Sequence, residues 1–448
     1  MSKLSTDDRV ADPVDPAELG ISSPDQWSLA TRVLFRFFFI LCGDFLWQMM
    51  GVIATHPPET RVPWSSSLVR PVVDVVAKHI LQVRVPGYQG DDSTFEWVLL
   101  LCWVFLAAVG TLVWSLLDRQ RPNYARLHAW LRAIVRFLLA AEMFGYGMSK
   151  VFDQQMPFLL SRLVEPFGDM SAEGVLWSQI SISHPYQTLL GCAEVLAGLL
   201  LLFQRTTTVG SLLCAVDMAQ VFVLNVTFDV RLKMMSATFL VLCVFLLAPQ
   251  LRRLAKALLS DEAVGAVAQR PLFRTPRANR VATTVQILAG VLVLLAVTGG
   301  FWKSATKPKP PLYGIWNVTA YSSDGVTRPA LLTDTLRWRR VVFDTPFHVA
   351  EPVTMTVQGM DDSLTEYGGD VDTRHHRIDL TDQVQLGSFQ ETPASITFAY
   401  QRSAHETMVI TGEFQGHEVR ASLQRADVKS FRVARDDVHW VNNQADNR

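Results

Sequence analysis

Long apolar runs without charge constrain this chain more than any other feature. Two of the clearest begin at Trp97 and Val281. Each continues for about 20 residues, which at ~1.5 Å of rise per helical residue is enough to cross ~30 Å of hydrocarbon. The sequence therefore predicts an integral membrane protein, with the lipid bilayer as its first partner.

Composition agrees with this prediction. Apolar residues make up 49% of the 448 residues and charged residues 19%, a balance that a water-soluble globule would not readily keep in solution. The net charge is −1, so the chain lacks the basic field that attracts nucleic acid, and nucleic acid is excluded as a partner.

About seven helices are expected to span the membrane, judged by apolar length and flanking residues. The predicted spans are 31–53, 96–117, 128–150, 186–203, 206–226, 232–248 and 281–301. Arginine and lysine concentrate in 118–132 and 252–280, which the positive-inside rule makes cytoplasmic. The N-terminus is then cytoplasmic, and everything after Trp302 lies outside a prokaryotic cytoplasmic membrane.

After the last predicted span the sequence pattern changes to the alternation of apolar and polar residues that is typical of β-strands. KSATKPKPP reads as a linker, and short alternating runs recur near 315, 338, 353, 376, 408 and 429. They predict an all-β domain of eight to ten strands, a meandering barrel or a sandwich. Its opening Gly314-Ile315-Trp316 is similar to the Gly-x-Trp of lipocalin-like barrels, which hold small apolar ligands, although a tryptophan can close any small barrel.

The chain thus divides into a polytopic α-helical membrane bundle and a C-terminal β-domain. The predicted segments are a disordered cytoplasmic tail (1–28), two spans joined by an outer loop with an amphipathic helix (29–126), a four-helix core (127–254), a cytoplasmic loop (255–280), the last span (281–302), the linker (303–311) and the β-domain (312–441). The outer loop 151–185 is expected to form a lid over the helix ends.

Ionisable side chains inside the apolar runs are the strongest indication of a site. Asp44, Glu142, Glu194 and Asp217 each lie in a different predicted span. A charge at membrane depth costs a few kcal/mol unless it faces the bundle interior, pairs or takes up a proton. We expect the four carboxylates to turn inward and line a shared polar chamber in the outer half of the bundle.

Four further residues are predicted to join that chamber. Tyr146 and Lys150 follow Glu142 at helical spacing, with Gly145 and Gly147 alongside for close approach by a neighbouring helix. Asp229 and Lys233, at the outer start of the sixth span, complete the cluster. The functional interpretation is an outward-opening pocket for a polar headgroup or a quinone; the alternative is a buried ion-pair network that only fixes helix packing.

Histidine and cysteine supply no motif. The histidines lie at span edges, in loops or in the β-domain, which disfavours a membrane haem, and adjacent His375 and His376 have poor geometry for one metal, so no metal site is predicted. Each of the five cysteines lies singly inside a predicted span, with no CxxC. Structural disulfides and a thiol relay within the chain are therefore not expected.

The segment from about 132 to 254 resembles the DoxX-like family of prokaryotic membrane proteins. The resemblance lies in the strings FGYGMSKVFDQQMP, LVEPFGDMSAEGVLW, AEVLAGLLLLFQRTTTVGSLL and NVTFDVRLKMMSATFLVLCVFLLAPQLRRL. It implies a four-helix membrane core and work associated with quinone-linked or thiol-linked redox chemistry. It transfers no catalytic motif, so whether the chain is an enzyme stays open.

Two hypotheses follow. In the first, the chain is a redox-associated membrane subunit whose pocket holds a quinone-like ligand while a redox or periplasmic protein partner supplies electrons; no resident cofactor motif is evident. In the second, the bundle is a non-enzymatic anchor or assembly factor, and the extracytoplasmic β-domain binds a lipid, a small apolar ligand or a protein partner.

Overall fold

The fold is described from a computed structural model. The described residues are 26–54, 64–85, 92–260, 263, 271–346, 352–382, 395–404 and 406–435. The predicted N-terminal tail lies mostly outside them.

An N-terminal helical bundle precedes a C-terminal barrel. The helices are α1 (Leu29–Ala54), α2 (Trp64–Val76), α3 (Thr94–Leu117), α4 (Ala125–Val151), α5 (Ala172–Ile182), α6 (His184–Leu202), α7 (Thr207–Thr227), α8 (Lys233–Leu247), α9 (Leu251–Leu259) and α10 (Pro276–Ala305). Each predicted span falls on one of them, nearly to the residue for most. The last helix starts earlier than predicted, at Pro276, because the Thr275 side chain accepts a hydrogen bond from the Ala278 amide and caps it.

Five helices among the described residues are long and apolar enough to cross a membrane: α3, α6, α7, α8 continued through α9, and α10. α4 is not among them, although it has 27 residues, because Arg126, Arg132, Arg136, Glu142 and Lys150 interrupt its apolar sequence. The predicted amphipathic helix of the first outer loop is present as α2, which continues into a π-helical turn, Ala77–Leu81.

Helices α4 and α6 cross in close contact. A Cβ atom on Gly147 would lie 2.7 Å from the Gly191 carbonyl oxygen, and one on Gly191 would lie 2.4 Å from that of Gly147. No larger residue fits at either position, so the two backbones touch here. The prediction of close approach holds for Gly147, whereas Gly145 has open space where its Cβ would be. This crossing brings Lys150 next to the Glu194 helix.

The β-domain is a closed eight-stranded antiparallel barrel with a two-residue extra strand. Its strands are β1 (Gly314–Ser323), β2 (Val326–Thr327), β3 (Trp338–Asp344), β4 (Val353–Gly359), β5 (Leu364–Asp372), β6 (Arg377–Asp382), β7 (Ser395–Ala404), β8 (Thr407–Phe414) and β9 (His417–Arg425). β1 and β3–β9 pair in chain order, and β1 pairs with β9 to close the barrel. Of the two predicted alternatives, the structure has the barrel and not the sandwich.

Two details of the β prediction are corrected. The run near 429 is not a strand: Asp427 accepts a hydrogen bond from the Lys429 amide and starts a 3-10 turn, Val428–Ser430. His375 and His376 do not lie in a strand either. They occupy the turn between β5 and β6, where His375 hydrogen-bonds Asp372 and His376 has a left-handed φ of 53°.

Side chains fill the barrel interior. Trp316 is fully buried and donates a hydrogen bond from its indole nitrogen to the Leu312 carbonyl oxygen, 2.9 Å away. Trp338 packs edge-on against both Phe398 and Phe414, with ring centroids 5.8 and 5.1 Å apart. Aliphatic and aromatic residues of every long strand join this one cluster, so the described strands enclose a packed core.

The barrel rests on the loop that follows α4. The backbone amide of Leu160 donates to the Asp344 carboxylate at 2.5 Å, and the Gln358 side chain donates to the Val164 carbonyl oxygen at 2.8 Å. Leu160 and Val164 also share an apolar cluster with Ile315 of the barrel. The helical part and the barrel thus meet through a buried, hydrogen-bonded contact.

Candidate functional site

A small cavity lies between α4, α6, α7 and α8 at the end of the bundle nearest the barrel. Its volume is about 80 Å³, and most of its wall is apolar. The polar side chains that line it are Tyr146, Lys150, Gln155, Glu194, Asp217, Gln220, Asn225 and Ser236. The cavity therefore combines an apolar slot with a few convergent polar groups, as ligand pockets do.

The centre of the cavity is a buried ion pair. Lys150 Nζ lies 2.5 Å from Glu194 Oε1, and the two side chains are 6% and 2% exposed. The glycine crossing of α4 and α6 sets this distance, since the position of a Gly191 Cβ would be only 3.0 Å from Lys150 Cβ. Burial of either charge alone would be strongly unfavourable. The pair is tolerated at this depth because the two opposite charges lie in contact.

Asp217 of α7 adds a second carboxylate to the same cavity. Its Oδ2 atom is buried without a hydrogen-bond partner among the described residues, and so is the Oε2 atom of Glu194. Two acids and one ammonium group therefore line the same cavity, and one carboxylate oxygen of each acid has no partner among the described residues. Such a site has places for a proton or for a hydrogen-bond donor on a ligand.

The segment predicted as a lid supplies the roof of this cavity. Met156 comes from the loop after α4, and Leu176, Trp177 and Ile180 come from α5; all four line the cavity. Ser171 caps α5 by accepting a hydrogen bond from the Gly174 amide at 3.0 Å. The loop that forms this roof is the same one that holds the barrel.

The structure brings together some of the predicted site residues. Lys150, Glu194, Asp217 and Tyr146 line one cavity, and the Tyr146 hydroxyl donates to Met235 Sδ at 3.0 Å. Glu142 does not line it and makes no hydrogen bond or ion pair with another described residue.

The other predicted members lie elsewhere. Asp229 and Lys233 form an ion pair at 2.8 Å, but the Asp229 side chain is 91% exposed and neither lines the cavity. The Lys233 hydrogen bond lowers the pKa of Asp229. The Lys233 backbone amide belongs to the start of α8, where Asp92 accepts from it at 2.6 Å. The side chain of Asp44 lies outside the described part of the chain.

Two cysteines that lie singly on their own helices meet in space. Cys214 of α7 and Cys243 of α8 have their sulfur atoms 3.2 Å apart, and Cys214 Sγ also lies 3.5 Å from Met143 Sδ. Both thiols are buried and free. Cys214 is one helical turn from Asp217, so the sulfur cluster lies just below the cavity. The sequence hid this pair because the two residues are on separate helices.

Asn225 and Ser236 are site residues that the sequence analysis missed. Asn225 Nδ2 donates to Ser236 Oγ at 3.1 Å and to the Leu232 carbonyl oxygen at 3.0 Å, which ties α7 to α8 at the cavity wall. The sequence did show a neutral polar residue in each of two apolar helices. Such residues indicate a functional site less strongly than a charged residue does, because Asn and Ser also take part in ordinary helix packing.

Among the described residues, no group of three or more His, Cys, Asp or Glu side chains could hold a metal ion. The polar atoms of the cavity are instead suited to hydrogen bonding and proton exchange.

Comparisons with known proteins assign no activity. No family model matches the chain. It is 27% identical over 124 residues to the uncharacterized protein YwoB of Bacillus subtilis (strain 168), covering 26% of this chain and 73% of that protein. A lipocalin-like protein from Bacteroides uniformis aligns with 26% of this chain and 98% of its own, at 15% identity and a TM-score of 0.17, a likeness that supports no inference about fold or ligand.

Proposed function

We propose that the chain is a multi-pass protein of a prokaryotic cytoplasmic membrane, crossing it about seven times with its N-terminus inside and the barrel outside. Five apolar helices support membrane insertion. The basic residues Arg252, Arg253 and Lys256 of α9 lie at the bundle end away from the barrel, which supports this orientation by the positive-inside rule.

We further propose that the bundle is a DoxX-like, redox-associated unit whose cavity takes the head of a quinone-like ligand. The observation that carries this proposal is the Lys150–Glu194 pair sharing an apolar cavity with Asp217. Lys150 can donate to a carbonyl oxygen, and the two carboxylates can give and receive the protons that accompany quinone reduction.

The cavity must widen for such a ligand. At about 80 Å³ it is smaller than the ~300 Å³ at which most ligand pockets begin. Met156 and Met235 line its roof and wall, and methionine side chains, which are unbranched and flexible, readily move to enlarge a pocket. The ligand head would enter by displacing them.

Extraction of the purified protein tests this proposal. The full chain, isolated in mild detergent, should carry a quinone detectable by mass spectrometry. Glu194→Gln and Asp217→Asn should lower its occupancy, because each removes a carboxylate from the cavity wall. Glu142→Gln is the matched control, since Glu142 is a carboxylate of the same bundle outside the cavity. Equal occupancy in all four proteins, or none in wild type, contradicts the proposal.

The Cys214–Cys243 contact favours a thiol-linked form of the same function. Oxidation of the two thiols to a disulfide releases two protons and two electrons, which a quinone in the cavity would take up to become a quinol. The sulfur atoms must approach from 3.2 Å to the ~2.05 Å of a disulfide, a shift within side-chain reach. Thiol alkylation of the denatured protein should show loss of two reactive thiols after quinone treatment, and retention of both argues against this form.

The barrel bears on the anchor hypothesis. One apolar cluster fills the centre of the barrel, so we propose that a partner binds its outer surface. Deletion of 312–448 would then abolish recovery of that partner in a pull-down.

A further inference from the structure

A second cavity lies at the opposite end of the bundle, and we propose that it binds a phosphate-bearing anion. It is larger than the first, with a volume of about 350 Å³, which is in the range of ligand pockets. Its wall comes from the first half of α4, the turn into α7, the end of α8 and Leu272. The polar residues in that wall are His128, Arg132, Arg136, Gln204, Thr207, Thr208 and Gln250.

Two arginines on one face of α4 give this cavity its charge. Arg132 and Arg136 are four residues apart, and Arg136 is only 7% exposed. Arg136 donates to Gln286 Oε1 at 2.7 Å and to Thr207 Oγ1 at 3.3 Å, neither of which carries a charge. The Nη1 atom of Arg132 is buried with no acceptor among the described residues. No described carboxylate forms an ion pair with either guanidinium.

A nearby arginine shows how this fold satisfies a buried guanidinium when no ligand is involved. Arg36 is 2% exposed and donates to the Tyr124 hydroxyl, the Ser115 hydroxyl and the Asp118 carbonyl oxygen at 2.7–2.9 Å. Tyr124 in turn donates to the Asp118 carboxylate at 2.8 Å. Arg132 has no such network. A desolvated pair of like charges is unfavourable by itself, and an anion between the two groups removes that penalty.

The start of α7 adds a third favourable element. Thr207 and Thr208 form its first turn and line the cavity, and the N-cap residue Thr206 makes no side-chain cap. Its hydroxyl donates instead to the Leu200 carbonyl oxygen at 2.6 Å. The free amide groups and positive dipole end of a 21-residue helix thus accompany two arginines, a combination suited to phosphate oxygens.

The phosphate could belong to an anionic phospholipid or to a free phosphate ion. α9 lies at this end of the bundle, exposes Leu251, Leu258 and Leu259, and carries Arg252, Arg253 and Lys256 between them. A short helix of this kind lies in a lipid interface and attracts anionic headgroups. The lipid is therefore the source that the surroundings favour.

Thermal stability of the full chain in mild detergent tests this site. Phosphatidylglycerol should raise the melting temperature in a saturable way, whereas zwitterionic phosphatidylcholine should not. Arg132→Gln and Arg136→Gln should each lower the apparent affinity for phosphatidylglycerol roughly ten-fold or more, because each removes a charged hydrogen-bond donor. Arg126→Gln is the matched control: Arg126 is on the same helix, loses the same charge, and is exposed outside the cavity.

A second variant covers the case in which an arginine substitution disturbs folding. Ala129→Leu keeps both charges but fills part of the cavity, so it should also abolish the phosphatidylglycerol effect. Stabilisation by inorganic phosphate equal to that by phosphatidylglycerol assigns the site to a free anion. No stabilisation by either probe, or an equal loss in Arg126→Gln, overturns the proposal.

Discussion

The barrel and the helical bundle use their interiors in opposite ways. The barrel encloses one apolar cluster in which Trp316, Trp338 and Phe398 fill the space between strands. The bundle buries charges next to cavities at both of its ends, with Lys150 and Glu194 at one and Arg132 and Arg136 at the other. The two charged cavities of the bundle are therefore where we expect the chemistry of this protein.

Among substitutions that test this contrast, Lys150→Met is expected to have the largest effect on stability. The substitution leaves the Glu194 carboxylate buried without its ion-pair partner, which should destabilise the bundle by about 3–5 kcal/mol. A Lys150→Met/Glu194→Met double variant should recover much of that loss, because it removes both charges together. Denaturation in detergent measures the free energies, and a double variant as unstable as the single one would contradict a charge-based explanation.

An effect of similar size, but confined to the barrel, is expected from Trp338→Ala. It removes a fully enclosed ring that packs on Phe398 and Phe414, at a cost of about 3–5 kcal/mol. Hydrogen exchange should show lower protection in the strands and unchanged protection in α6 and α7. Loss of protection in those helices would contradict the separation of the two regions, because it would show that the barrel core also stabilises the bundle.

The smallest effect concerns the contact between the two regions. Asp344→Ala leaves the buried Leu160 amide without its acceptor and should cost about 1–3 kcal/mol. Asp344→Asn keeps an acceptor oxygen and should cost less. Hydrogen exchange of 160–164 reports this contact directly, and equal protection in both variants would exclude the hydrogen bond as its cause.

The same residue predicts a pH dependence. Burial raises the pKa of Asp344, although backbone donors including Thr345 and Leu160 act in the other direction. A carboxyl group with a raised pKa in the folded state binds its proton more tightly there than in the unfolded chain. Its contribution is therefore complete below the ordinary value of about 4 and is lost as the pH rises through the folded-state pKa. The contact should be firmer in acid, and Asp344→Asn should remove that dependence.

Patterns within one segment predicted the architecture well, because helices and strands are local structures. Among the described residues, a helix covers each segment chosen by apolar length, five of these helices are apolar enough to cross a membrane, and alternation located most strands. The run near 429 failed because one capping aspartate, Asp427, outweighed the alternating pattern.

The site was predicted only in part, since it depends on how helices are rotated against one another. Helical spacing placed Glu142 on the stripe of Tyr146 and Lys150, but the cavity ends above Glu142. Cys214 and Cys243 meet through a helix pairing that spacing does not encode. The sequence analysis used Arg132 only to orient the chain in the membrane, because it assigned this residue to a basic loop. In the structure Arg132 lies within α4 and lines a cavity.

The two attachments of the barrel have a mechanical consequence. A domain held only by the 306–312 linker could rotate about it. The hydrogen bond between the Leu160 amide and the Asp344 carboxylate adds a second point of attachment that restricts this rotation. Because Leu160 belongs to the loop that also carries Met156, the loop that anchors the barrel also supplies part of the roof of the Glu194 cavity.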